Sequence, residues 1–210
     1  MNLQARAKQF WQAMTSLGLH LNEKENFTSI VTPYLFRSYH NLNHIERCLI
    51  ELDAYDLDDI QRSLLVIAIW FHDIVYDTQR IDNEIQSAFY FVTHVTNYSK
   101  RKSQVHAAEI VDIILATRYR AEKEDDRRIF PKLEQVMREI DLCGLLDPIE
   151  SVLATDSLIR EEYKHVAEED WKINRTVFLR TLAQSVPFDD EKKNIRLTAN
   201  IEELILRRYS

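Results

Sequence analysis

Residues 57–76 read LDDIQRSLLVIAIWFHDIVY. Within them, residues 64–71 (LLVIAIWF) are apolar on every side of a helix, so this segment is expected to be surrounded by other helices. The run falls far short of the roughly 20 residues that a bilayer span requires. The helix is expected to extend from Leu57 to about Tyr76, with His72 and Asp73 towards its far end. A polar pair emerging from a dry helix calls for a partner, because burying an unpaired polar group is costly.

Helical spacing continues on both sides. Leu3, Ala7, Phe10, Trp11, Met14 and Leu17 recur at helical intervals, and Gly18 ends the pattern. Phe27, Ile30, Val31, Tyr34 and Leu35 keep the period, with Pro33 predicting a kink or split. A helix from His44 through Leu49 to Leu52 should end before the acidic YDLDD. Asp82 is a candidate cap for a helix carrying Ile85, Phe89 and Val92, and Ser103 for one carrying Ala107, Ile110 and Ile114. RAEKEDDRR (120–128) reads as a solvated loop or exposed helical face. Helix resumes through Leu133, Val136, Met137 and Ile140. Asp147-Pro148-Ile149-Glu150 reads as cap, first-turn proline and capping-box acid for a helix reaching Val166. Residues 171–182 and 189–208 complete the set, with Leu197, Ile201, Leu204 and Ile205 as the buried stripe of the last.

Two Gly and four Pro in 210 residues leave few ways to punctuate a many-stranded sheet. With 45% hydrophobic and 29% charged residues, the chain is expected to be a packed, all-α protein. A net charge of −7 argues against a nucleic-acid polymer or an anionic membrane as main partner. Two cysteines, Cys48 and Cys143, are too few for a disulfide framework or a Cys-based zinc site and suit a reducing compartment. The N-terminal stretch reads as a helix rather than a signal peptide, so a cytoplasmic location is expected.

The chemistry sits in WFHDIVYD (70–77) and in YHNLNHIERCL (39–49). His40 and His44 are one helical turn apart and share a face if the helix begins early enough. His72 and Asp73 are about 100° apart on a helix, so both reach one ion only at the helix end. Imidazoles with carboxylates suit a first-row divalent metal with open positions for water. Taken singly, each residue has a plainer account as a hydrogen-bonded core group or a chance dipeptide.

Together, the pattern H…HD…D resembles the metal-binding signature of the HD superfamily of phosphohydrolases, whose fold is all-helical. YHNLNH is similar to the YHNxxH segment of cyclic-nucleotide phosphodiesterases, in which the second histidine binds metal and the first protonates the leaving group. The resemblance implies His44, His72 and Asp73 as metal ligands and His40 as the acid. It also implies a last ligand from a later helix; Asp141 in MREIDLCGLLDP is the best match, ahead of Asp147 and Asp112. YHNLNHI, FHDIVYD followed by DNEIQSA, ILAT, Asp141, IREEYKHV and the final R-L-x-x-N-I-E (196–202) together resemble a family of small predicted HD phosphohydrolases of unassigned substrate. That likeness runs from about Tyr39 nearly to the C-terminus. It implies a single HD-type helical domain over residues 1–210, with a metal-site core at about 39–145 and C-terminal helices at about 148–208 packed on it.

One departure is plain. Family members tend to carry a histidine shortly after ILAT, where this chain has Arg118, Tyr119 and Arg120. That bears on a substrate contact or a second-metal ligand and leaves the four core ligands untouched. HDIVYD is also similar to the HDxxED of guanosine-tetraphosphate hydrolases. Asp77 matches the final acid while Tyr76 replaces the glutamate, which implies Asp77 as the base for the attacking water, with Glu84 as a second candidate.

The resemblance thus implies one divalent metal ion (Mn, Fe, Ni, Co, Zn or Mg) and a metal-dependent phosphohydrolase acting on a nucleotide or other small phosphoester. Arg118, Arg120, Arg160 and Tyr163 are candidates for contacting the substrate. The plainer reading of Arg160 is local pairing with Glu161 and Glu162, and Lys100-Arg101-Lys102 reads as a solvated turn. His94 and His106 are candidates for a second metal; His20 reads as surface or core edge, His165 as packing, and Cys48 as a small buried residue. The alternatives are a metal-binding regulatory module without turnover and a di-iron oxygenase. A homodimer is compatible with the resemblance.

Overall fold

A computed structural model describes residues 1–96, 101–119, 132–185 and 187–209. The chain is all-α, with a single two-residue strand pair among the described residues. Packing divides it into two compact units, Met1–Arg118 and Tyr119–Ser210.

The first unit contains α1 (Leu3–Leu17), β1 (His20–Leu21), α2 (Phe27–Val31), α3 (Leu42–Glu51), α4 (Asp59–Phe71), α5 (Asn83–His94), β2 (Val95–Thr96) and α6 (Arg101–Leu115). Its axis is α4, where every residue from Ser63 to Phe71 is buried. An Asp58–Gln61 capping box starts this helix, each side chain accepting the other's amide. Around it pack α1, α3, α5 and α6. Phe10, Phe27, Tyr34 and Trp70 meet largely edge-on, with Phe27 and Trp70 centroids 5.0 Å apart. Gly18 ends α1 with φ 67°, and a Cβ there would lie 2.9 Å from Ser103 Oγ, so glycine is required twice over. Pro33 splits its segment as expected, into α2 and a 3-10 turn, Thr32–Tyr34.

Several boundaries differ from the sequence reading, each for a tertiary reason. The central helix stops at Phe71, about five residues early, because distant side chains satisfy the carbonyls beyond it. Ser103 lies inside α6 rather than at its start, and its hydroxyl donates to Gly18 O across the fold. Asp82 occupies the N-cap position of α5 without capping it, since its carboxylate accepts from Arg80 and Gln86 instead. The stripe Ile85, Phe89 and Val92 faces solvent, and α5 buries Asn83, Ser87, Ala88 and Phe91.

The second unit contains α7 (Lys132–Leu142), a 3-10 turn (Cys143–Leu146), α8 (Ile149–Glu162), α9 (Glu168–Gln184) and α10 (Glu191–Arg208). Leu153, Leu179, Leu182, Leu197, Ile201 and Leu204 form its core, including the stripe expected on α10. Asp156 is buried there and accepts from Arg175 Nε at 3.0 Å and from the Tyr209 hydroxyl. Burial, then the hydrogen bond to Asp156, pushes the Tyr209 phenol far above its ordinary value. Asn200, from the R-L-x-x-N-I-E motif, donates to Leu145 O and Asp147 O and ties α10 to the turn after α7. The expected Asp147 cap of α8 is replaced by Pro148, which has no side-chain acceptor, and the helix ends at Glu162 rather than Val166.

The run 120–128, including Arg120, and Lys100 lie outside the described residues. Among the described residues no helix is long and apolar enough to cross a membrane.

Candidate metal centre

The site grows from the way α4 ends. The last carbonyls of a helix have no partner within it and must be satisfied from elsewhere. Ala68 O accepts the His72 amide at 2.8 Å, and Ile69 O lies 2.8 Å from His72 Nδ1. Trp70 O accepts the hydroxyl of Tyr34 at 2.8 Å, and Phe71 O accepts the Ile74 amide at 3.2 Å. Beyond the helix, the Arg37 guanidinium donates to Asp73 O and, at 2.9 Å, to Ile74 O. Its flat face lies 5.2 Å from the Tyr34 ring centre and 5.7 Å from that of Tyr76. The HD turn is therefore clamped from a segment about 36 residues upstream. Burial, and then the Asp73 carboxylate, raises the Tyr34 phenol well above its ordinary value, so it remains a donor.

The other half comes from α3. Asn41 caps that helix through Oδ1, which accepts the Asn43 amide at 2.8 Å, while its Nδ2 donates back to Arg37 O and Ser38 O. This cap places His40 before the helix, so His40 and His44 do not share a helical face. His44, in the first turn of α3, points into the core and is buried, as are His72 and Asp73.

His44 Nε2 and His72 Nε2 are 3.2 Å apart. Asp73 Oδ2 lies 3.2 Å from His72 Nε2 and 3.8 Å from His44 Nε2. Donors bound at about 2.1 Å to one cation sit roughly 3.0 Å apart at a right angle and roughly 3.4 Å apart at a tetrahedral angle; the two 3.2 Å separations fall in that range, and the 3.8 Å one corresponds to a wider angle of about 130°. The tautomer agrees. A carbonyl only accepts, so the proton of His72 is on Nδ1 and the lone pair of Nε2 faces the other two donors. In a metal-free protein, a hydrogen bond from His44 Nε2–H to that lone pair accounts for the same separation. Metal content distinguishes the two.

Comparison with family models, with curated proteins and with solved structures gives no match.

The remaining candidates fall into place separately. His40 is half-buried, its ring stacked on Tyr76 at 3.8 Å and edge-on to Tyr39 at 4.8 Å, with its centroid 6.0 Å from that of His44. Asp77 is exposed; its Oδ1 accepts the Gln79 amide and its backbone pairs with the Asn83 side chain. Glu84 is half-buried in the first turn of α5, and Arg118 is half-buried just beyond α6. His106 sits 3.1 Å from Leu17 O and His94 stacks on Tyr90, so both serve local packing. Cys48 is fully buried, as expected, with Sγ 3.7 Å from His44 Nε2.

Asp141, Arg160 and Tyr163 belong to the second unit. Asp141 is half-buried near the end of α7, where its Oδ2 accepts the Tyr119 hydroxyl at 2.9 Å. Arg138 lies over that tyrosine ring at 4.8 Å. Tyr119, shortly after the ILAT segment, thus orients the Asp141 carboxylate. Arg160 donates to Tyr163 O and Val166 O and pairs with Glu168 rather than Glu161 or Glu162. His165 is exposed, correcting its assignment to packing; its only ring contact among the described residues is with Tyr163 at 6.2 Å.

Sequence reasoning missed Arg37, Tyr34 and Tyr119. Tyr34 shows in the sequence only as part of an apolar stripe, and Arg37 carries one weak signal, a cation two residues before the YHN motif.

Proposed function

We propose that this protein is a metal-dependent phosphohydrolase of the HD type, acting on a nucleotide or other small phosphoester. One observation carries the reading: three buried donors, His44 Nε2, His72 Nε2 and Asp73 Oδ2, converge at ligand spacing. Asp141 is proposed as the fourth ligand on the strength of the sequence motif. These residues would hold a divalent cation, which would supply a lowered pKa for bound water and positive charge for the phosphoryl oxygens.

His40, held between Tyr39 and Tyr76, donates a proton to the departing oxygen, a role suited to imidazole near neutral pH. Asp77 or Glu84 accepts the proton of the attacking water, and Arg118 grips a phosphoryl oxygen. The buried walls around His44 and His72 keep the imidazoles in one orientation.

The test is metal analysis of the purified chain, followed by a screen of nucleotides and generic phosphoesters with added manganese, nickel, cobalt, magnesium, zinc or iron. Bound metal with turnover, both lost in His72→Ala, is the expected result. A metal-free protein that hydrolyses nothing overturns the proposal. A regulatory module that keeps the metal without turnover is favoured by one feature: the proposed base Asp77 is exposed and engaged in closing its own loop. Metal retention with no hydrolysis across the screen would establish that reading.

A further inference from the structure

The outward face of α9 carries Asp170, Ile173, Val177 and Arg180. At 100° per residue these four lie within about 80° of one another on the helix. Ile173 is 62% exposed and Val177 60%, and Leu206 of α10 is 65% exposed. Between α9 and α10 runs a groove of about 510 Å³, lined by Arg180, Ala183, Ile201, Glu202, Ile205 and Leu206. A soluble helix rarely leaves such large apolar residues uncovered next to an apolar groove.

The order of residues along this face decides what covers it. When two copies of one helix run antiparallel about a two-fold axis, residue numbers facing each other have a constant sum. A sum of 350 sets Ile173 against Val177 of the second copy, and also sets Asp170 against Arg180. Apolar thus meets apolar at the centre, and acid meets base on both sides. Asp170 and Arg180 are exposed and make no ion pair among the described residues, whereas the neighbouring Arg175 turns inward to Asp156 and Lys172 lies 4.0 Å from Glu168. Glu169 flanks the acid end and adds to the negative charge that Arg180 of the second copy meets, whereas Glu202 lies across the groove from Arg180 and opposes the incoming Asp170 of the second copy.

We infer that α9, with the groove beside it, is a two-fold interface between two copies of this chain. The 17 residues of α9 rise about 25 Å, and two helices side by side span roughly 20 Å, giving about 500 Å² per copy. The total of about 1,000 Å² is at the low end for a specific interface, so the dimer is reversible and dilution separates it. This surface is independent of the metal-site reading.

Sedimentation of the full chain over a concentration series tests it, with circular dichroism as the control for folding. A monomer–dimer equilibrium is expected, abolished by Val177→Asp. Asp170→Arg and Arg180→Asp should each weaken it by about tenfold or more through like-charge contacts. Mixing those two variants, or combining both changes in one chain, should restore it, because each then regains opposite charges across the axis. A chain monomeric at every concentration, including one that instead binds a helix of another protein, overturns the inference. So does a dimer that survives Val177→Asp, or charge variants that fail to complement.

Discussion

At the ends of α4 and α8 an arginine takes the outgoing carbonyls, from very different distances along the chain. At the end of α4, Arg37 donates to carbonyls 36 and 37 residues away in the chain. At the end of α8, Arg160 donates to carbonyls only 3 and 6 residues away. The chemistry is the same, a guanidinium satisfying orphan carbonyls, yet the consequences differ. The local clamp finishes a turn. The long-range clamp joins the segment before YHN to the HD turn, and with Tyr34 it fixes where His72 and Asp73 meet His44. A site that draws donors from separate segments depends on clamps of the second kind.

The largest effect is expected at the donors themselves. His72→Ala or Asp73→Asn should lower metal affinity by well over about 100-fold, beyond what a change in a supporting residue costs, as read by metal analysis after dialysis. Turnover should vanish with the metal. Next, His40→Asn should cut turnover by about 10²- to 10⁴-fold while the metal stays bound; loss of metal from that variant would refute its role as acid.

The comparison itself is tested by a matched pair. Arg37→Ala removes two charge-assisted hydrogen bonds and should destabilise the fold by about 3 kcal/mol, with metal affinity falling about tenfold. Arg160→Ala should cost about 1 kcal/mol and leave metal binding unchanged. Equal losses of metal in both, measured by titration beside urea unfolding, would erase the distinction between the two clamps.

The smallest effect concerns Tyr34. Tyr34→Phe leaves Trp70 O without its donor and should cost about 1 kcal/mol. Because the folded phenol is raised above the ordinary 10.0, it keeps its proton where the unfolded chain loses it. Its contribution is therefore full below about pH 10 and declines as pH rises above that. Tyr90 and Tyr209 shift the same way. Thermal melts from pH 8 to 11 should show an alkaline decline that is shallower, though present, in Tyr34→Phe.

Much of the helical plan was legible, because it rests on period and on local stops. The α1 stripe ended by Gly18, the split at Pro33 and the buried face of α10 follow from spacing and backbone sterics. Capping was less legible. Asp82, Ser103 and Asp147 are all good cap residues by type, but each cap was decided by a competitor. Arg80 and Gln86 hold the Asp82 carboxylate, Gly18 O takes the Ser103 hydroxyl, and Pro148 takes the place of Asp147. The α5 stripe shows a related limit: a pattern names an apolar face without naming its partner, and here Ile85, Phe89 and Val92 face outward. In the candidate site, the motif residues could be selected but their supports could not. Tyr34, Arg37 and Tyr119 act through a few long-range hydrogen bonds, which residue spacing does not reveal.

By itself, the sequence determined that the chain is helical and that residues 64–71 form a buried axis, since an apolar run on every side and scarce breakers allow little else. Only tertiary structure decided that two imidazoles 28 residues apart aim their Nε2 atoms at one point. The direction of a side chain at a helix end depends on which distant groups satisfy the last carbonyls, and that is settled when the segments pack.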